Sequence, residues 1–235
     1  MYKRQFLDPS RFALNGGAKA DLRQMLNRGR GRNGLRAEEV RTDVSGESIV
    51  RIYDAWLAAR PAGHRLQLLV GTPRLNEPFS RRYFLARDAR APQALVTLTP
   101  GWAGEGYGVD VMARAPDAPA GAMEVAMTSA IQTIGGEGVR RLSLGACPMY
   151  EHVRSANDSR PALRRLLRWV YSSSVTRRLF AFESLPRFKR KFDPVWETSY
   201  IAAWPRVGVW SLYVGCRMWG LFGPRSLRTG LSRAD

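Results

Sequence analysis

Cysteine is scarce in this chain of 235 residues: Cys147 and Cys216 are the only two. Two thiols that far apart make neither a disulfide framework nor a metal site, and they favour a reducing interior. Histidine is as rare. His64 and His152 lie far from each other, and neither has the spacing of a metal site or a proton relay, so no metal is expected. No apolar run reaches the roughly 20 residues a spanning helix needs. The nearest candidate, Val207 to Gly223, is rich in Trp, Tyr and Leu but contains Arg217, and it reads as a buried or interfacial helix. The first residues, Met1-Tyr2-Lys3-Arg4-Gln5, have no signal-peptide run behind them. Acidic residues are few, 20 against 37 basic ones, which leaves a net charge of +17. That excess favours a polyanionic partner: nucleic acid, an anionic membrane surface, or both. Lysine contributes only 4 of the cations and arginine 33. Arginine suits phosphate through its planar fork of donors.

Apolar residues, by contrast, make up 45% of the chain, enough for a sizeable core, so disorder is not the default. The length allows one large domain or one and a half ordinary ones. Phe12 to Gly17 reads as a short strand and turn, and Ala18 to Arg28 as a basic helix followed by a turn at Gly29 to Gly34. Leu35 to Val40 reads as a strand. A helix is expected from Ser45, with Val50, Tyr53, Trp56 and Leu57 as its apolar stripe, ending at Pro61 and Gly63. Strands follow at Tyr83–Arg87, Gln93–Thr99 and Tyr107–Met112. A helix over Pro119–Ile134 comes next, closed by Gly135-Gly136, and then a strand over Arg140–Leu144. Ser159 to Phe180 reads as a long basic helix in which Arg160, Arg164 and Arg168 recur every four residues. That stripe suits a phosphate backbone or lipid headgroups, or is simply a solvated face. A strand at Thr198–Ala203 and a helix at Val207–Phe222 complete the order.

Leu185 to Glu197 is the most concentrated basic segment: Arg187, Lys189, Arg190 and Lys191 lie within five residues, interleaved with Phe188 and Phe192. Two rings four apart share one side of a helical turn and can dock on a core. Lys189, flanked by apolar residues, can point inward, where desolvation would disfavour its charge unless an anion meets it. The competing reading is an ordinary amphipathic turn with exposed charges.

This order of elements implies an α/β fold with a mixed central sheet flanked by helices. Strand, strand, helix, strand also occurs in the GNAT-like acyltransferase fold. There, neighbouring parallel strands splay apart and the acyl donor enters the gap. Tyr107–Met112 and Arg140–Leu144 would be that pair.

Four blocks carry a more specific resemblance: Gly108-Val109-Asp110-Val111-Met112-Ala113-Arg114, Pro116 to Glu124, Gly138 to Gly145, and Arg187 to Glu197. Together, and in this order, they resemble the phosphatidylglycerol lysyltransferase family, the cytosolic C-terminal domain of the multiple peptide resistance factor proteins. Asp21 to Arg28 is similar to that family's early basic helix. The similarity runs from about residue 12 to 204. It implies two GNAT-like lobes and transfer of an aminoacyl group, lysine or alanine, from a charged tRNA to the hydroxyl of phosphatidylglycerol. The modified lipid reduces binding of cationic antimicrobial peptides. Aminoacyl-tRNA is then a co-substrate and no further cofactor is needed. The expected location is cytoplasmic, peripheral at the inner face of the bacterial plasma membrane. Residues 12–223 would form the second lobe, with residues 1–11 a non-native segment or a remnant N-terminus outside it and residues 224–235 a loose basic tail.

Within that frame Asp110, Arg114 and Glu124 are the candidate catalytic residues. Asp110 would hold the donor's α-amino group or orient the lipid hydroxyl, unless it only pairs with Arg114. Glu124 would bind the amino-acid side chain, unless it is an ordinary first-turn acid. Lys189, Lys191, Arg187, Arg164 and Arg168 would bind the lipid phosphate or the tRNA. The family pattern usually has Arg directly after the Met of the second strand; here that position is Ala113, and Arg114 faces the other way. Two other functions fit the charge. One is a non-enzymatic module binding anionic membranes or RNA. The other is an acyl-CoA-dependent N-acetyltransferase, disfavoured because Ala113 to Pro119 holds two prolines and no Gly-x-Gly cradle. A peptidoglycan-bridge aminoacyltransferase is a nearer relative in mechanism.

Overall fold

The computed structural model describes residues 2–59, 71–76, 81–148, 165, 184–199, 204 and 208–218. Seven strands form a single sheet: β1 (Tyr2–Leu7), β2 (Arg36–Val40), β3 (Arg82–Arg87), β4 (Pro92–Gly101), β5 (Gly106–Arg114), β6 (Leu142–Pro148) and β7 (Val195–Ser199). Their spatial order is β2-β3-β4-β5-β6-β1-β7. Every pair is antiparallel except β5 with β6. The helices are α1 (Ala20–Asn27), α2 (Thr42–Ala58), α3 (Ala122–Gly136), α4 (Ser184–Arg190) and α5 (Val209–Met218). The mixed α/β class expected from the sequence holds.

Side-chain alternation on β3 and β4 explains the layering. Phe84, Ala86, Ala94, Val96 and Leu98 face a core shared with α1 and α3. Tyr83, Leu85 and Leu95 face a second core under α2, formed with Ile49, Ile52 and Tyr53. The interior strand β4 is buried from Ala94 to Leu98, with Pro92 and Pro100 near its ends, where a missing ladder donor costs least. Helix α3 is buried on nearly all sides, and it has an apolar residue almost wherever it meets α1 or the sheet. Arg82 ties the edge together: its guanidinium donates to Glu39 of β2 at 2.6 and 2.7 Å and to Glu137 beyond α3. Those two carboxylates hold its pKa above the ordinary arginine value, and Arg82 holds that of Glu137 below its own.

Three expectations are corrected. Phe12 to Gly17 forms no strand; short 3-10 turns at Pro9–Arg11 and Gly17–Lys19 flank it, and Asp8 caps the first through the Ser10 amide. The residues ahead of Phe12, expected outside the domain, contain β1, which sits between β6 and β7. The strand expected over Thr198–Ala203 is present at Thr198–Ser199 and starts earlier, at Val195; residues 200–203 lie outside the described residues. Beyond α1, the arginine-glycine run expected as a turn continues as a π-helical turn over Arg28–Arg32. The expected helix at 159–180 lies outside the described residues apart from Arg165, which is helical.

Gly121, immediately before α3, has φ +93°, and a Cβ there would lie 2.5 Å from the Met25 carbonyl oxygen. Helix α1 and the start of α3 therefore cross at backbone distance. Gly121→Ala should cost about 2 kcal/mol, from left-handed strain plus this clash. A lower denaturant midpoint at unchanged slope would check it.

Candidate active site

Strands β5 and β6 run parallel but pair only at Tyr107↔Leu142 and Gly108↔Ser143. Beyond those pairs β5 continues to Arg114 and β6 to Pro148, so the two part. The two strands expected to lie side by side as a parallel pair do so. Gly145 marks the point of divergence. Its φ is +83°, and next to it the register of β6 against β1 shifts between Arg4 and Phe6. The kink turns β6 away from its neighbour.

The side chain that reaches this place is Lys189. Only 2% of the residue is exposed. Its Nζ lies 3.4 Å from the Ala146 carbonyl of β6. A Cβ on Gly145 would sit 3.5 Å from that nitrogen and 3.7 Å from the Val109 carbonyl of β5. The amine thus lies where both strands come near. Phe188 and Phe192 explain how it is held. Their rings meet edge to face at 5.4 Å, and Phe192 is buried in the α3 core. The anchoring role expected of these rings holds.

Burial pushes the Lys189 pKa down from its ordinary value, with Cys147 opposing. Cys147, also buried, donates from its thiol to Gln5 Oε1 at 3.5 Å. Burial raises the thiol pKa, and Lys189 pulls it back. Burial thus moves each group's titration in the direction of its neutral form. Gln5 and Cys147 were not readable as site residues. Gln5 sits in the segment set outside the domain, and Cys147 reads from sequence as a plain core or loop thiol.

Asp110 occupies a bulge. Thr97 of β4 opposes Val111 and Leu98 opposes Val109, so Asp110 has no cross-strand partner on β4. The Thr97 hydroxyl accepts from the Val111 amide at 2.9 Å and so satisfies a donor that the bulge displaces. A bulge re-aims a side chain without breaking the sheet. Here the carboxylate meets Arg81, not Arg114 as the sequence offered. Arg81 also donates to the Thr72 carbonyl at 2.9 Å, and Tyr53 to the Gly71 carbonyl at 3.0 Å. Gly71 lies so close that any Cβ would overlap the Asp110 carboxylate. Neither Arg81 nor Gly71 carries a pattern that sequence reading detects, because only the fold brings 71–72, 81 and 110 together.

The other expected residues divide into three groups. Glu124, in the first turn of α3, and Lys191 are brought together: Lys191 Nζ donates to Glu124 Oε1 at 2.7 Å. The contact joins the end of α4 to α3 and uses both charges. Arg187 and Arg114 are exposed, on α4 and at the end of β5. Arg114 lies opposite Ala94, and its neighbour Ala113 is buried in the α2 core, so the two residues do face opposite ways. Arg164 and Arg168 lie outside the described residues.

A mixed sheet whose one parallel pair is joined over only two residues, with a buried amine beside it, defines an α/β domain. The chain belongs to the family described as phosphatidylglycerol lysyltransferase, C-terminal, whose model matches residues 3–203. It is 29% identical over 224 residues to the lysylphosphatidylglycerol biosynthesis bifunctional protein LysX of Mycolicibacterium vanbaalenii, covering 88% of this chain and 19% of that protein. The LysX protein of Mycobacterium ulcerans matches at 29% over 223 residues with the same coverage. The chain thus spans about a fifth of the length of the curated relatives it matches. Among solved structures, the C-terminal domain of a putative lysylphosphatidylglycerol synthetase from Agrobacterium fabrum superposes with a TM-score of 0.62 at 26% identity, over 83% of this chain and 57% of that one. The L-PGS of Bacillus licheniformis shares the fold, with a TM-score of 0.69 at 17% identity, over 94% of this chain and 67% of that one.

Proposed function

We propose that this chain transfers an aminoacyl group, lysine in the first instance and otherwise alanine, from a charged tRNA to the hydroxyl of phosphatidylglycerol. The observation that carries the reading is the buried Lys189 amine beside β5 and β6, in a chain of this family. An aminoacyl ester is already activated, so the reaction needs positioning, a base and donors to the developing oxyanion, and no cofactor. Neutral Lys189 takes the proton from the lipid hydroxyl as its oxygen bonds to the acyl carbon. The bond from that carbon to the tRNA ribose oxygen then breaks, and the ammonium returns the proton to the ribose. Protons and charge balance without a further reactant. Asp110 accepts the donor's α-ammonium in competition with Arg81. The pair of Glu124 with Lys191 fixes α4, and with it Lys189. The exposed Arg114 and Arg187 bind phosphates, which makes affinity salt-dependent. The work takes place at the inner face of the plasma membrane.

The N-acetyltransferase reading is further weakened at the start of α3. A helix N-terminus that cradles a pyrophosphate needs open amides. Here α1 backbone crowds Gly121, and the first turn carries the buried acid Glu124.

The test is turnover. The chain is incubated with lysyl-tRNA and phosphatidylglycerol vesicles, with ribonuclease-treated tRNA as control, and the lipids are separated by chromatography. A new ninhydrin-positive lipid that requires intact charged tRNA is expected. Vesicle or tRNA binding without any new lipid would favour the binding module instead.

A further inference from the structure

Helix α5 carries none of the residues described above beside β5 and β6, yet among the described residues most of the exposed large apolar side chains gather in and around it. Of eight such side chains among the described residues, Trp204, Val209, Trp210, Tyr213, Val214 and Met218 belong to this one stretch. Trp204 is 95% exposed and Trp210 74%. Residues 210, 213, 214, 217 and 218 recur at helical spacing, so Trp210, Tyr213, Val214 and Met218 form one stripe that also carries Arg217. The Trp210 and Tyr213 rings stack at 5.5 Å, which makes a pre-ordered aromatic platform. Exposed aromatic surface on this scale marks an interaction site.

The surrounding sequence indicates what covers it. From Thr198 to Ala234 the chain holds five arginines, Arg206, Arg217, Arg225, Arg228 and Arg233, and no acid. Trp and Tyr have apolar bodies and polar tips that suit the headgroup level, and arginines beside them meet anionic lipid. The ten described residues of α5 are fewer than a bilayer crossing needs, and they suit a helix lying in its plane.

We infer that α5 docks this domain on an anionic bilayer, its Trp210–Tyr213–Val214 face set into the headgroup layer. The inference rests on the lipid-acceptor reading, since transfer to phosphatidylglycerol takes place where that lipid sits, in a membrane. It assigns the membrane contact to an element other than those that carry Asp110 and Lys189.

The test compares the full chain with a variant carrying Trp210→Ser, Tyr213→Ser and Val214→Ser, all on an exposed face. Flotation is measured with vesicles of equal parts phosphatidylglycerol and phosphatidylcholine, and with phosphatidylcholine alone. The parent should float with the anionic vesicles only. The variant should partition about ten-fold more weakly, or worse. Its transfer to dispersed short-chain phosphatidylglycerol should be unchanged. Equal partition of variant and parent would overturn the inference, as would a parent that fails to float at low salt. So would a parent that sediments as a dimer, and a variant as a monomer, with vesicle binding unaltered; the face would then join two copies. If neither protein makes aminolipid from the short-chain acceptor but the variant still loses vesicle binding, the docking inference stands and the transferase reading falls.

Discussion

Lys189→Met should lower aminoacyl transfer at neutral pH by about 10²–10³-fold, the usual worth of a positioned proton acceptor, while the fold stays at least as stable as the parent. The stability half follows from the direction of the pKa shift. Burial depresses the Lys189 pKa below its ordinary 10.5. Between the two values the folded chain gives up a proton that the unfolded chain keeps. Above 10.5 both states are neutral there, and the lysine costs the fold nothing on this account. As pH falls through the window the cost grows, and below the folded value it is complete. Methionine fills a similar volume without that cost. The variant should therefore gain on the parent as pH falls through the window and show no such gain above it. Denaturant titrations at several pH values read this directly. Lys189→Arg adds a further arm, because arginine keeps a positive charge but does not deprotonate. If Lys189 only attracts phosphate, arginine should restore much of the activity; if it moves a proton, arginine should be as inactive as methionine. Parental rates in Lys189→Met would remove the lysine from the chemistry altogether.

What could be read in advance depended on how local each signal was. The basic segment around Lys189 declared itself because Phe188 and Phe192 stand one helical turn apart, and an aromatic pair at that spacing implies a buried face whatever it packs on. The parallel pairing of β5 with β6 was legible as an order of elements, since a strand–helix–strand crossover makes neighbouring strands parallel. The Glu124–Lys191 contact was not legible as a pair: both residues were singled out, but the 67 positions between them hide the contact. Strand β1 was misread for a different reason. Residues 2–7 alternate weakly, and the segment becomes a strand only because β6 and β7 offer it an edge on each side. The partner of Asp110 was mistaken because one bulge changes which side chains a strand residue meets. No feature of Gly108 to Arg114 alone announces an extra residue opposite Thr97 and Leu98.

That bulge sets up the second large effect. Side chains of Asp110 and Arg81 are only 24% and 12% exposed, so removing one leaves the other's charge poorly solvated. Asp110→Ala should cost about 3 kcal/mol of stability, at the lower end for breaking a buried pair because solvent still reaches the carboxylate. Arg81→Met in the same chain should recover much of that loss, since no stranded guanidinium remains. The pair thus separates structural from chemical roles. If Asp110 serves only to neutralise Arg81, the double variant should regain transfer as it regains stability. If the carboxylate receives the donor's α-ammonium, the double variant should fold well and still transfer about 100-fold more slowly, because the acceptor of that charge is gone. The loss should then fall on kcat/KM for charged tRNA, and much less on the short-chain lipid. A double variant with near-parental rates would confine Asp110 to the fold.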